Sequence, residues 1–122
     1  MANQFQILIV DDNVSIAKTM SFILIRKGYT ADIAYDGLEA VSMVKKKSYD
    51  LIFMDIKMPH IDGVETFKRI KKINLKAKVV MMTACSGDSL IQKAMEAGAQ
   101  GVVYKPVDYR NVFRLIENSL GS

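Results

Sequence analysis

The sequence predicts an α/β protein: a five-stranded parallel sheet, doubly wound, with helices on both faces. Three observations predict it. Five short apolar runs recur at roughly twenty-five-residue intervals, and segments of helical period lie between them. Most of the runs are continuous rather than alternating, as expected of strands buried on both faces. Strand-helix alternation of this kind gives parallel strands joined by right-handed helical crossovers.

The runs are Phe5–Val10, Thr30–Tyr35, Asp50–Met54, Lys78–Thr83 and Gly101–Lys105. The second, Thr30-Ala-Asp-Ile-Ala-Tyr35, is the most polar and reads as an edge strand. Between the runs, apolar residues recur at helical spacing. They are Ile16, Met20, Ile23 and Leu24 in the first segment, then Leu38, Val41 and Val44, then Val64, Phe67 and Ile70. Leu90, Ala94 and Ala97 mark the fourth segment, and Val112, Ile116 and Leu120 the fifth. Asp36-Gly-Leu-Glu39 and Asp62-Gly-Val-Glu65 have capping-box spacing, and Asp108 is placed to cap the last helix. Asp50 is read, like Asp62, as a structural cap. Gly28 and Gly98 fall where helix C-termini need a left-handed residue.

The chain of 122 residues is read as a single domain over 1–122, with its core at about 6–120. Half of its residues are hydrophobic and a quarter are charged, which excludes disordered and fibrous classes. The apolar runs are too short to span a bilayer, and no basic-then-apolar leader precedes them, so no membrane role is expected. One cysteine, Cys85, and one histidine, His60, exclude a zinc framework and an internal disulfide. A reducing, cytoplasmic location is expected. The net charge of +4 is assigned to solvated lysines at helix ends and outer faces. No aromatic residues interleave with them, so direct nucleic-acid binding is not expected. Gly121-Ser122 is read as a tail of native or added origin.

Ligands in such sheets bind outside the carboxyl ends of the strands, where the strand order reverses. The residues expected there are Asp11 and Asp12 after the first strand, Asp55 at the end of the third, Thr83 and Ala84 after the fourth, and Lys105 with Pro106 at the fifth. Three converging carboxylates repel one another, and a divalent cation relieves that. Hard oxygen ligands suit Mg²⁺, with Mn²⁺ as a substitute. Two charges on the metal and one on Lys105 offset the three aspartates, so the site tolerates a phosphoryl group. Asp55 stands alone between the acidic pair and the lysine, which makes it the candidate nucleophile for an aspartyl phosphate. Thr83 offers a hydroxyl to a phosphoryl oxygen, the small Ala84 leaves its backbone N–H approachable, and Lys105 pairs with the acceptor. The turn Asp11-Asp-Asn13 would repel a nucleotide phosphate, and the glycines of a phosphate-binding loop are missing from it.

These residues together resemble the receiver domain of two-component response regulators, a CheY-like variant of the flavodoxin-like (βα)₅ fold. The likeness runs from about Gln6 to Leu120. It rests on Ile7-Leu-Ile-Val-Asp11-Asp12-Asn13, Asp36-Gly-Leu-Glu-Ala40, Asp50-Leu-Ile-Phe-Met-Asp55-Ile-Lys-Met-Pro-His-Ile-Asp-Gly63, Met81-Met-Thr83-Ala84, Ala97-Gly-Ala99 and Tyr104-Lys105-Pro106. The resemblance implies that Asp55 is the phosphoacceptor and that Asp12 and Asp55 bind Mg²⁺ directly. It implies that Asp11 holds the metal through water and that the Lys57 backbone carbonyl completes the set. Thr83 and Lys105 carry over as the phosphoryl-contacting pair, Thr83 and Tyr104 as switch positions, and Lys57 and Cys85 as modulators of phosphoryl lifetime. A cis peptide before Pro106 is also implied.

The implied partners are a histidine kinase or histidine phosphotransfer protein as donor, and a downstream protein target or a separate output domain. The surface of the fourth helix, fifth strand and fifth helix is expected to switch, and phosphorylation-dependent dimerisation through it stays open. The resemblance implies a domain that assists its own phosphorylation and dephosphorylation without being a turnover enzyme. A pseudo-receiver scaffold is the first alternative, but this chain retains the acidic pair, acceptor and lysine that such proteins lack. A Mg²⁺-dependent aspartyl-phosphate phosphatase is the second. It needs an aspartate two residues after its nucleophile, where Asp55 is followed by Lys57 and Asp11 by Asn13.

Overall fold

The computed structural model describes residues 5–120. Residues 1–4 and the tail Gly121-Ser122 lie outside the described residues. Five strands alternate with five helices: β1 Gln6–Val10, α1 Val14–Arg26, β2 Thr30–Ala34, α2 Gly37–Lys46, β3 Leu51–Asp55, α3 Gly63–Ile73, β4 Val79–Thr83, α4 Ser89–Glu96, β5 Gly101–Tyr104 and α5 Tyr109–Leu120. All four strand pairings are parallel, in the order β2-β1-β3-β4-β5. β2 lies at an edge, as its polarity predicts. Each strand boundary falls within a residue of the run that predicted it. The one shift that matters moves Asp55 into the last position of β3 and leaves Asp50 outside.

Two apolar layers sandwich the sheet. On one face Ala17, Met20 and Leu24 of α1 and Val112 and Ile116 of α5 pack on Ile7, Ile9, Phe53 and Val80. On the other, Ala40 and Val44 of α2, Val64, Phe67 and Ile70 of α3 and Ala94 of α4 pack on Leu8, Val10, Met54 and Met81. Side chains alternate between faces along each strand, so a strand covered on both faces is apolar throughout. β3 and β4 are buried along their whole length.

The helix faces differ from expectation in three places. Ile16 and Ile23 flank the buried stripe of α1, which runs through Ala17, Met20, Ser21 and Leu24. Leu38 and Leu120 are about half exposed, and the inward positions beside them are Gly37, Ala40 and Ser119. Glycine, alanine and serine carry little signal in a hydrophobic pattern, so counting large apolar residues misplaces those faces.

The helix ends follow local chemistry. The Asp36 and Asp62 carboxylates accept from the N–H groups of Glu39 and Glu65, each at 2.8 Å. Asp108 accepts from Arg110 N–H at 3.0 Å at the start of α5. Asp50 is no helix cap: it precedes a strand, and its carboxylate accepts from Gln6 N–H at 2.7 Å, tying the start of β1 to that of β3. Gly28 and Gly98 have φ of 100° and 104°, and the N–H groups of Tyr29 and Ala99 reach back to the Leu24 and Ala94 carbonyls. Both helices thus end in the left-handed cap their sequence signals.

Gly63 opens α3 against the end of β3. A Cβ there would strike the Asp55 carbonyl oxygen and come within 2.9 Å of Ile56 Cα, while its own N–H donates to the Ile56 carbonyl at 2.7 Å. Backbone cannot yield as a flexible side chain can. Gly63→Ala is therefore expected to cost about 2 kcal/mol of unfolding free energy in urea titration, whereas Gly87→Ala, with open space around it, should stay within about 0.5 kcal/mol.

Candidate functional site

β1 and β3 are neighbours at the point where the strand order reverses, and their carboxyl ends carry the acidic residues. The register pairs Val10 with Met54, so Asp11 and Asp55 follow side by side. Thr83 ends β4, and the Lys105 N–H donates to the Thr83 carbonyl at 2.8 Å, bringing the lysine onto the same edge. One oxygen each from Asp11, Asp12 and Asp55 lies within 4.8 Å of the others. Asp11 and Asp55 are buried and Asp12 is exposed. This is the convergence the sequence predicts. A hard divalent cation fits the donor set: three carboxylate oxygens converge, and the exposed Asp12 leaves the cluster in reach of solvent.

Lys105 is the counter-charge. Its ammonium lies 2.8 Å from an Asp11 oxygen and 3.4 Å from an Asp55 oxygen. The sequence predicts its pairing with Asp55, and the structure sets it closer to Asp11. Burial works against the ammonium's charge, but the Asp11 hydrogen bond and the charges of Asp55 and Asp11 outweigh it and raise the lysine's pKa. Asp55 is held the other way. Burial, reinforced by the negative charge of Asp11, pushes its carboxyl up to about 7 despite Lys105.

Asp55, Lys57, Thr83, Ala84, Cys85 and Lys105 line a cavity of about 220 Å³. Thr83 is buried, and its hydroxyl is engaged at both ends: it accepts from Cys85 N–H at 3.1 Å and lies 3.4 Å from the Cys85 carbonyl. Ala84 and Cys85 are exposed, the latter as a free thiol. Tyr104, opposite Thr83 in the β4–β5 register, is 48% exposed and turned to solvent. The Lys105–Pro106 peptide is cis. His60 is exposed, in the left-handed region at φ 72°, between β3 and α3.

Two residues near the site escaped the sequence reading. Asn13, not Asp11 or Asp12, caps α1 by accepting from Ile16 N–H at 3.0 Å, while Asp11 accepts from Asn13 N–H at 2.9 Å. Asp88 caps α4 through Leu90 N–H at 2.9 Å and sits 3.4 Å from the Lys57 ammonium. An aspartate just before the periodic residues Leu90 and Ala94 is a start signal that identifies the cap. Its ion pair has no sequence signature.

A parallel sheet whose carboxyl edge gathers three aspartates and a lysine, with no nucleotide-binding turn, defines a regulatory domain built for phosphoryl chemistry on a carboxylate. The chain belongs to the response regulator receiver domain family, whose profile matches residues 7–117. The chemotaxis protein CheY of Treponema pallidum is 36% identical over 119 residues, covering 95% of this chain and 83% of that one. The transcriptional regulatory protein ZraR of Salmonella typhimurium is 34% identical over 117 residues, 96% of this chain but 26% of that protein, so the chain spans about a quarter of that relative's length. Among solved structures, CheY of Borrelia burgdorferi, in a complex with CheX, BeF3 and Mg²⁺, shares 31% identity at a TM-score of 0.88 and covers 95% of this chain and 89% of that one. The fold is CheY-like, the acidic cluster is poised for metal-dependent phosphotransfer, and the domain is regulatory rather than a turnover enzyme. Among the described residues no helix is long and apolar enough to cross a membrane.

The raised Asp55 pKa has a consequence for stability. The unfolded carboxyl ionises near 3.8 and the folded one near 7. Between those values the folded state holds a proton that the unfolded state gives up, so this contribution is fully present below pH 4 and lost as pH rises through 7. In the metal-free chain, Asp55→Asn is expected to raise unfolding free energy by about 2 kcal/mol at pH 8 and to leave it nearly unchanged at pH 4. Urea titrations at the two pH values check this, and an equal gain at both would contradict it.

Proposed function

We propose that Asp55 is the phosphoacceptor and that the donor is the phosphohistidine of a histidine kinase or histidine phosphotransfer protein. An Asp55 oxygen forms the new O–P bond. The P–N bond of the donor breaks, and its electron pair stays on the imidazole nitrogen, which takes up a proton. The observation that carries this reading is the convergence of Asp11, Asp12 and Asp55 oxygens within 4.8 Å, with Lys105 between Asp11 and Asp55.

Asp12 and Asp55 would hold Mg²⁺ directly, Asp11 through water, and the Lys57 carbonyl would complete the protein ligands; Mn²⁺ suits the same donors. When bound, the ion offsets the charge of the phosphoryl oxygens. Asp11 fixes the Lys105 ammonium, which faces the acceptor as charge develops on the transferring group. The Ala84 N–H lies open to a phosphoryl oxygen, and the Thr83 hydroxyl can exchange its contacts with Cys85 for one with the phosphoryl group. That withdrawal of Thr83 makes room for Tyr104 to turn inward, altering the surface of α4, β5 and α5. Lys57 and Cys85, both at the cavity, modulate how long the acyl phosphate lasts. The domain extends over residues 1–122, and a cytoplasmic location fits this role. Output passes through a docked protein target or an output domain.

Incubation with acetyl phosphate and Mg²⁺, read by intact mass, tests the assignment. The unaltered chain is expected to gain one labile phosphate-sized increment that chelator prevents, and Asp55→Asn is expected to gain none. Equal labelling of both would remove Asp55 from the role.

A further inference from the structure

The β4–α4 loop carries a buried charge that the phosphoacceptor reading leaves unused. Asp88 caps α4, and its side chain is only 5% exposed. One carboxylate oxygen accepts from Leu90 N–H at 2.9 Å. The other is buried and has no hydrogen-bond partner among the described residues. Its compensation is the Lys57 ammonium at 3.4 Å, at the end of a side chain 71% exposed. A buried carboxylate oxygen is costly unless a charge or donor faces it, so the cap in its present position depends on this lysine.

Lys57 has a second place to go. It follows Asp55 by two residues and lines the cavity that Asp55, Thr83 and Lys105 also line. Phosphorylation of Asp55 puts about two negative charges into that cavity. An ammonium on a flexible four-carbon stem reorients readily, and a dianion attracts it more strongly than one carboxylate does. We propose that Lys57 is a phosphoryl-binding residue held in reserve by Asp88, so that phosphorylation draws its ammonium off the α4 cap. The proposal rests on the reading of Asp55 as phosphoacceptor.

The ion pair then belongs to the unphosphorylated state alone. Once it breaks, Asp88 is left buried without a counter-charge, and the first turn of α4 shifts to bring its carboxylate to water. The loop is already strung between the two ends of the cavity. Cys85 N–H donates to the Thr83 hydroxyl at 3.1 Å, and Asp88 N–H donates to the Cys85 carbonyl at 3.3 Å. Loss of the Thr83 contact at one end and of the Lys57 contact at the other frees the same five residues, 84–88.

Linkage fixes the sign of the test. An interaction present only in the unphosphorylated state opposes phosphorylation, so its removal must strengthen binding of a phosphoryl mimic. Asparagine caps a helix as well as aspartate does, so Asp88→Asn removes the ion pair and keeps the cap. Beryllofluoride is titrated into the Mg²⁺-loaded chain while the α4 amides are followed by NMR. Asp88→Asn is expected to bind the mimic about fivefold more tightly than the unaltered chain. Its α4 amide shifts without mimic should lie part-way towards the mimic-bound positions. Lys57→Met is expected to bind more weakly, and in its background Asp88→Asn should have no further effect. Unchanged or weaker binding by Asp88→Asn would overturn the proposal, as would a gain that persists alongside Lys57→Met. No adduct on the unaltered chain with either beryllofluoride or acetyl phosphate would instead overturn the phosphoacceptor reading, and this proposal with it.

Discussion

The site depends on crowding like charges onto one edge of a sheet. Asp11 and Asp55 come from adjacent strands at the reversal of strand order, and backbone register alone sets them side by side. Neither can retreat, because the core beneath them is packed: Val10, Met54 and Met81 are inaccessible to solvent on one face, and Ile9, Phe53 and Met82 on the other. Lys105 is the one ammonium near enough to both to offset them among the described residues, and it divides itself unequally between them. Burial, together with this crowding, leaves an Asp55 carboxyl that holds its proton to about pH 7 and a lysine held firmly charged. Folding energy from the apolar layers keeps the acidic groups in a place they would leave if free.

From this edge the contacts lead outward along the β4–α4 loop. Thr83 faces the cavity yet satisfies its hydroxyl on Cys85, so the loop is held by the same group that a phosphoryl oxygen would compete for. Tyr104 stands outward beside it. At the far end of the loop the α4 cap leans on Lys57. Each of these contacts is local and weak, and each is set against a group that a new charge on Asp55 would attract or displace. A packed sheet cannot deform continuously, so a loop with two alternative sets of partners is where such a change would be expressed.

Most of the fold was legible in the sequence, because a doubly covered parallel strand must be apolar along its length and a helix must cap its ends. β3, five buried residues ending in Asp55, and the paired caps Asp36 and Asp62 are the plainest cases. The start of the inward face of α2 and the end of α5 were not, since Gly37, Ala40 and Ser119 fill them with almost no side chain to read, while Val44 further along α2 was. Asp50 misled because an aspartate before an apolar run looks the same whether it ties a strand or opens a helix. In the site, Asp11, Asp55, Thr83 and Lys105 were legible because strand ends in a parallel sheet share an edge. The preference of Lys105 for Asp11, the capture of Thr83 by Cys85 and the Lys57–Asp88 pair depend on the path of loops and on side-chain reach, neither of which periodicity encodes.

Burial, reinforced by the charge of Asp11, keeps Asp55 protonated; a divalent ion offsets both, so filling the site must expel that proton. Calorimetric titration of Mg²⁺ at pH 7, repeated in two buffers of different ionisation enthalpy, measures it directly. One ion per chain is expected to bind, with release of about half a proton from the carboxyl that titrates near 7, and that release is lost in Asp55→Asn. Binding that expels no proton, or the same release from both chains, would contradict it.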